Sequence, residues 1–177
     1  MKKNILVIIV LSLIVFLGYK ILNPEHTGDN YFNLNQLKKE NLKDKNIYFF
    51  MTTWCGASKQ ILEETFSRLI HDTAFNHVNV FIICGNNDVE GVEQIKKKYN
   101  IEIKIIPKSS DFRLLDRMNI KDFIRNNFTN HEPLKMNNKI QFGIPVIFMT
   151  NMDSKIIKHD ITQEYSTLCN LINEKTF

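Results

Sequence analysis

Cys55 lies shortly after an apolar run and opens a segment with helical spacing, within the stretch Trp54-Cys55-Gly56-Ala57-Ser58-Lys59. The thiolate is the nucleophile of sulfur chemistry, and the mouth of a helix, where unbonded backbone N–H groups point outward, favours such an anion. Cys55 is therefore placed for thiol–disulfide exchange. One helical turn on, where a two-thiol redox site needs its second sulfur, the chain has Ser58. Its hydroxyl can donate a hydrogen bond to a thiolate, but it cannot attack a mixed disulfide. A one-cysteine site can still form that adduct, whose release then requires an outside thiol or another cysteine of the chain.

Cys84 and Cys169 complete a set of three cysteines, an odd number at wide spacing. That pattern argues against a disulfide framework. Cys84 ends an apolar run, and the carboxyl ends of strands gather at one edge of a parallel sheet, which makes it the internal candidate for a resolving thiol. The plainer reading is a small core hydrophobe. Cys169 falls on an apolar helical stripe and reads as core. The histidines, His26, His71, His77, His131 and His159, show no pair at ligand spacing, so neither a metal nor another cofactor is expected.

The elements that must position Cys55 follow from periodicity. Residues 47–51 (IYFFM) form a continuous aromatic and β-branched run, as in a strand buried on both faces. Ile61, Leu62, Thr65, Phe66, Leu69 and Ile70 predict an amphipathic helix over 57–71. A second buried strand is expected at 78–83, then a helix capped by Asn87, then a third strand at 101–106 stopped by Pro107. A helix opening at Ser110 or Asp111 would bury Leu114, Leu115, Met118 and Phe123, and 126–139 reads as a polar loop or insertion. A strand at 143–150, a turn, the run KIIKH and a closing helix bearing Tyr165, Leu168, Cys169 and Ile172 complete the chain. Strands alternating with helices, ending in a hairpin, predict an α/β fold with a mixed central sheet covered on both faces.

Lys2 and Lys3 precede an apolar run from Ile5 to Gly18, extended through Leu22, with no small-residue cleavage site after it. About 18 residues at ~1.5 Å each nearly span a bilayer, which predicts one N-terminal transmembrane helix at 1–22, either a signal-anchor or an uncleaved signal. A linker and lead-in follow at 23–45, then one domain at 46–177. The flanking charges place that domain outside the cytoplasm, on the periplasmic or extracellular side of the cell membrane.

The whole chain has 177 residues, 44% hydrophobic and 24% charged, which suits one globular core and excludes wholesale disorder. With a net charge of +4 and Lys96 to Lys98 as the only basic run, no nucleic-acid partner is expected.

The order strand, W-C-G-x-x-K, helix and, much later, Gly143-Ile144-Pro145 opening a strand resembles the thioredoxin superfamily. The pattern of 88–106 and 144–157 is most similar to its membrane-anchored TlpA/ResA-like branch. The resemblance implies a thioredoxin-like fold over about 46–177, with Cys55 the attacking thiol, Trp54 shaping the partner surface beside Gly56, and a cis Pro145. Ile144 would lie against Cys55 and align an extended substrate segment. It further implies protein thiols or disulfides as partners and an external reductant. Three positions depart from the pattern: Ser58 replaces the resolving cysteine, Ala57 the proline between the sulfurs, and Phe49 the acid that assists proton transfer. A redox-inactive peptide-binding or adaptor module is the alternative function. A one-cysteine glutaredoxin and a peroxiredoxin fit less well, the first because of Trp54 and the second because Tyr48 occupies its proline position.

Overall fold

The computed structural model describes residues 31–32, 42–106, 113–136, 139–140, 143–159 and 164–174. Strand β1 (Asn46–Met51) is entirely buried. It lies at the centre of a five-stranded sheet among the described residues, in the order β3-β2-β1-β6-β7. Strands β2 (Asn79–Cys84) and β3 (Ile103–Ile105) run parallel to it, whereas β6 (Val146–Thr150) is antiparallel to β1 and β7 (Ile156–His159) antiparallel to β6. Strands β4 (Lys135–Met136) and β5 (Lys139–Ile140) form a separate small hairpin.

The alternation of side chains along β1 explains why its sequence is apolar throughout. Ile47, Phe49 and Met51 enter one core with Ile61, Leu62, Phe66, Leu69, Val92, Leu168 and Ile172. Tyr48 and Phe50 enter a second core with Ile120, Ile124, Phe128 and Phe148. Both faces are covered, as expected for an α/β fold.

The helix expected over 57–71 is present with an irregular middle. Helix α1 (Gly56–Ile61) widens into a π-helical segment (Leu62–Phe66) and resumes as α2 (Ser67–His71). Helix α3 (Val89–Tyr99) is capped by Asp88 rather than Asn87, because the Asp88 carboxylate accepts the Gly91 N–H at 2.9 Å. Helix α4 (Arg113–Asn127) buries Ile120 and Ile124, while Met118 is 58% exposed. Met118 thus departs from the expected stripe, whereas Phe123 packs against the second core with its ring centre 5.5 Å from that of Phe32; the side chains of Leu114 and Leu115 lie outside the described residues. The stretch read as a polar loop also contributes core: Phe128 packs 4.7 Å from Tyr48 and 5.0 Å from Phe148, ring centre to ring centre. Gly85 makes room for Ile120 in this core, since a Cβ there would strike the Ile120 side chain.

Helix α5 (Tyr165–Asn173) closes the first core with Leu168 and Ile172. The Tyr165 hydroxyl donates to Asp72 at 2.5 Å, and the Arg68 guanidinium lies 4.4 Å over the Tyr165 ring. Before β1, Phe32 is buried and its N–H donates to the Ile105 carbonyl at 2.9 Å, covering the β3 edge.

The expected transmembrane helix is corrected. Among the described residues no helix is long and apolar enough to cross a membrane. The longest of them, α4, has 15 residues and carries charges along its length. At ~1.5 Å per residue it spans about 22 Å, short of the roughly 30 Å of a hydrocarbon core. Residues 5–22, on which the expectation fell, lie outside the described residues. The membrane partner, the signal-anchor and the single-pass, extracytoplasmic location rested on that span and are withdrawn with it.

Candidate functional site

The antiparallel pairing of β1 and β6 builds the site. Its last register pair is Phe50 with Val146, so the residues leaving β1 and those entering β6 emerge at the same edge of the sheet. Cys55 leaves on one side and Ile144-Pro145 arrives on the other. The Cys55 N–H closes a turn onto the Thr52 carbonyl at 3.3 Å, and Cys55 is the extended N-cap residue of α1. Its thiol donates to the Ile144 carbonyl, with Sγ and O 3.6 Å apart. The Ile144–Pro145 peptide bond is cis. Trp54, 40% exposed, stands beside a half-buried Cys55. Gly56 is exposed with open space where a Cβ would be, so close packing does not require glycine there.

Ser58 is not joined to Cys55. It is fully buried, and its hydroxyl has no hydrogen-bond partner among the described residues. Cys84 is also fully buried, and its thiol donates to the Asn86 side-chain oxygen at 3.0 Å. No disulfide joins Cys55, Cys84 or Cys169. Cys169, expected in the core, is half-buried and packs against the first core.

Beside this edge lies a polar network that sequence reasoning missed. Asn86 accepts the Thr53 N–H on Oδ1 at 3.0 Å and donates from Nδ2 to Thr53 Oγ1 at 2.8 Å. The Thr53 hydroxyl in turn donates to the Asp88 carboxylate at 2.5 Å. A Cβ at position 91 would collide with that carboxylate, so Gly91 leaves room for the cap. The only signal in the sequence was the polar run Gly85-Asn86-Asn87-Asp88 at the end of a buried strand, which reads as an ordinary turn.

Asp88 is held below the usual carboxylate range, first by the Thr53 hydroxyl, then by the Gly91 N–H, with Lys59 adding a weaker attraction against the penalty of burial. A carboxyl depressed on folding stabilises the fold above its unfolded pKa of about 3.9, and that contribution is lost as pH falls through the lower folded value. Urea unfolding at a series of pH values is therefore expected to show wild type more stable than Asp88→Asn at neutral pH. The gap should narrow below about pH 4; a constant gap would remove Asp88 ionisation from the stability of this loop.

No protein-family model matches the chain, and no curated protein sequence matches it. Solved structures do. The thioredoxin domain of a thiol-disulfide oxidoreductase from Bacteroides vulgatus aligns over 79% of this chain and 84% of its own, at 11% identity and a TM-score of 0.51. A thiol:disulfide interchange protein of the thioredoxin family from Chlorobium tepidum aligns over 80% and 86%, at 14% identity and a TM-score of 0.50. One from a Bacteroides species aligns over 80% and 79%, at 15% identity and a TM-score of 0.50. The chain has a thioredoxin-like fold.

Within this thioredoxin-like fold the three departures noted in the sequence acquire a physical setting. Phe49 stacks on Phe66 with ring centres 4.4 Å apart and packs in the first core. Ala57 is exposed on the first turn of α1. Ser58 brings a hydroxyl into a buried position where it has no hydrogen-bond partner among the described residues.

Proposed function

We propose that this thioredoxin-like protein carries out thiol–disulfide exchange with protein partners through Cys55 alone. The observation that carries the reading is the thiol of Cys55 lying against the Ile144 carbonyl at the edge where β1 ends and β6 begins. There the half-buried Cys55 stands beside a backbone edge, next to Pro145, that can align an extended partner. The finer likeness to the TlpA/ResA-like branch, and the roles of Trp54 and Gly56 in shaping the partner surface, belong to this proposal.

The Cys55 thiol first loses its proton to solvent. Its thiolate attacks one sulfur of a partner disulfide, forming a Cys55–partner bond while the second partner sulfur leaves as a thiolate and is protonated. An external low-molecular-mass thiol then attacks the Cys55 sulfur and releases the partner in its dithiol form. A second equivalent frees Cys55 and departs as the oxidised disulfide, so two electrons pass from two outside thiols to one partner disulfide. Cys84 is placed poorly for the resolving step, being enclosed in the core with its thiol bonded to Asn86.

The test is the lifetime of the adduct. With a disulfide-bonded peptide and no reductant, wild type should accumulate a mixed disulfide at Cys55, visible by intact mass under non-reducing conditions. Ser58→Cys restores an internal attacking thiol one helical turn away. Because such a thiol acts at an effective concentration far above millimolar, the adduct should then decay roughly a hundredfold faster. A wild-type protein that never forms the adduct would overturn the exchange reading; an adduct equally long-lived in Ser58→Cys would overturn the claim that the missing second sulfur sets its lifetime.

A further inference from the structure

We infer that Asn86 is a positioning residue for Cys55, acting through Thr53; the inference rests on the thiol-exchange reading. Thr53 stands two residues before Cys55, at the start of the turn that the Cys55 N–H closes onto Thr52. Asn86 holds Thr53 at two points, accepting its backbone N–H at 3.0 Å and donating to its hydroxyl oxygen at 2.8 Å. Two bonds from one planar amide fix both the backbone and the χ1 rotamer of Thr53. The hydroxyl proton is then directed onward to Asp88 at 2.5 Å, which ties the turn to the first turn of α3.

The chemistry of position 86 is specific to an amide. Thr53 Oγ1 spends its single proton on Asp88, so its remaining need is a donor, while Thr53 N needs an acceptor; only a side chain with both on one group meets these together. Aspartate would keep the acceptor and lose the donor, and would add a second negative charge beside Asp88. An apolar residue would leave the Thr53 N–H unsatisfied in a buried site. The same Oδ1 also accepts the Cys84 thiol at 3.0 Å, so one side chain orients the strand end carrying Cys84 and the turn carrying Cys55. Asn86 is buried and does not meet the partner directly. Its effect must be on exchange that needs the Cys55 sulfur correctly aimed at the Ile144 edge, rather than on the intrinsic reactivity of the thiol.

That distinction defines the experiment, made on the full chain with Asn86→Ala, Thr53→Val and Thr53→Ser. Three quantities are read: the rate of adduct formation with a disulfide-bonded peptide, the rate of Cys55 alkylation by iodoacetamide, which requires no docking, and hydrogen exchange of the Thr53 amide. Alkylation of the buried Cys84 reports loss of the fold. Asn86→Ala and Thr53→Val are expected to slow peptide exchange roughly tenfold, as loss of one or two buried hydrogen bonds implies, with Cys55 alkylation changed less than about twofold and Cys84 still protected. Thr53→Ser, which keeps both bonds, should stay close to wild type, and the Thr53 amide should lose protection in Asn86→Ala. Peptide exchange at the wild-type rate in Asn86→Ala would overturn the positioning role, as would a decline matched by exposure of Cys84. A wild-type protein that does not exchange with the peptide would instead overturn the thiol reading on which the role depends.

Discussion

Cys55→Ser is expected to abolish the mixed disulfide with a disulfide-bonded peptide while leaving the fold in place. The exchange step needs a polarizable thiolate, and a serine hydroxyl does not attack disulfides at neutral pH. The replacement is nearly the same size, and Cys55 is half-buried at a helix start with one sulfur hydrogen bond to the Ile144 carbonyl. Its effect on stability should therefore stay within about 1 kcal/mol, as for a substitution that neither empties the core nor strands a charge. Cys84 and Cys169 remain in the variant, so the adduct must be mapped to a residue by peptide mass. An adduct at the wild-type level would show that Cys55 is not the nucleophile. If wild type forms no adduct, yet both proteins retain the peptide without a covalent bond, the adaptor reading replaces exchange.

Phe49→Ala is expected to produce the largest loss of stability of any change near the site. Phe49 is fully buried in the central strand, paired in register with Ile82 on one side and Ile147 on the other, and stacked on Phe66 at an interplanar angle of 8°. Its removal loses the transfer free energy of the ring and leaves a cavity between the sheet and the π-helical segment that carries Phe66, together costing about 3–5 kcal/mol. Domains are stable by only about 5–15 kcal/mol, so the variant is expected to populate the unfolded state far more than wild type at physiological temperature. Urea unfolding should show a lower midpoint at an unchanged slope. A loss below about 1 kcal/mol would mean the core closes around the gap and that Phe49 is not the keystone its position indicates. Since phenylalanine cannot titrate, Phe49→Leu, which keeps most of the packing, should exchange with peptide at close to the wild-type rate. A large fall there would reveal a role in the chemistry beyond packing.

Those two residues show how unevenly the molecule could be read. The strand at 46–51 and the helix after it were legible because each is written locally: an uninterrupted apolar run for a strand covered on both faces, and a 3.6-residue repeat for the helix. The buried face of α4 was legible only in part: Phe123 was expected in the core and packs there, whereas Met118 was expected in it and is exposed. Packing against Tyr48, Phe50 and Phe148 selects Ile120 and Ile124. Phe128 and Leu134 were hidden for a similar reason, as isolated apolar residues in a polar stretch have no period to betray them.

By itself, the sequence determined the α/β class, the place of Cys55 between a strand and a helix, and the absence of a second sulfur at Ser58. These are properties of neighbours along the chain. Tertiary structure decided that Cys55 meets the Ile144 carbonyl 89 residues away, that Cys84 is enclosed in the core, and that Asn86 grips Thr53 across 33 residues. Such contacts are set by which strands are neighbours and in what register. Strand order is chosen by burial of both sheet faces at once, a global balance that no short stretch of sequence records.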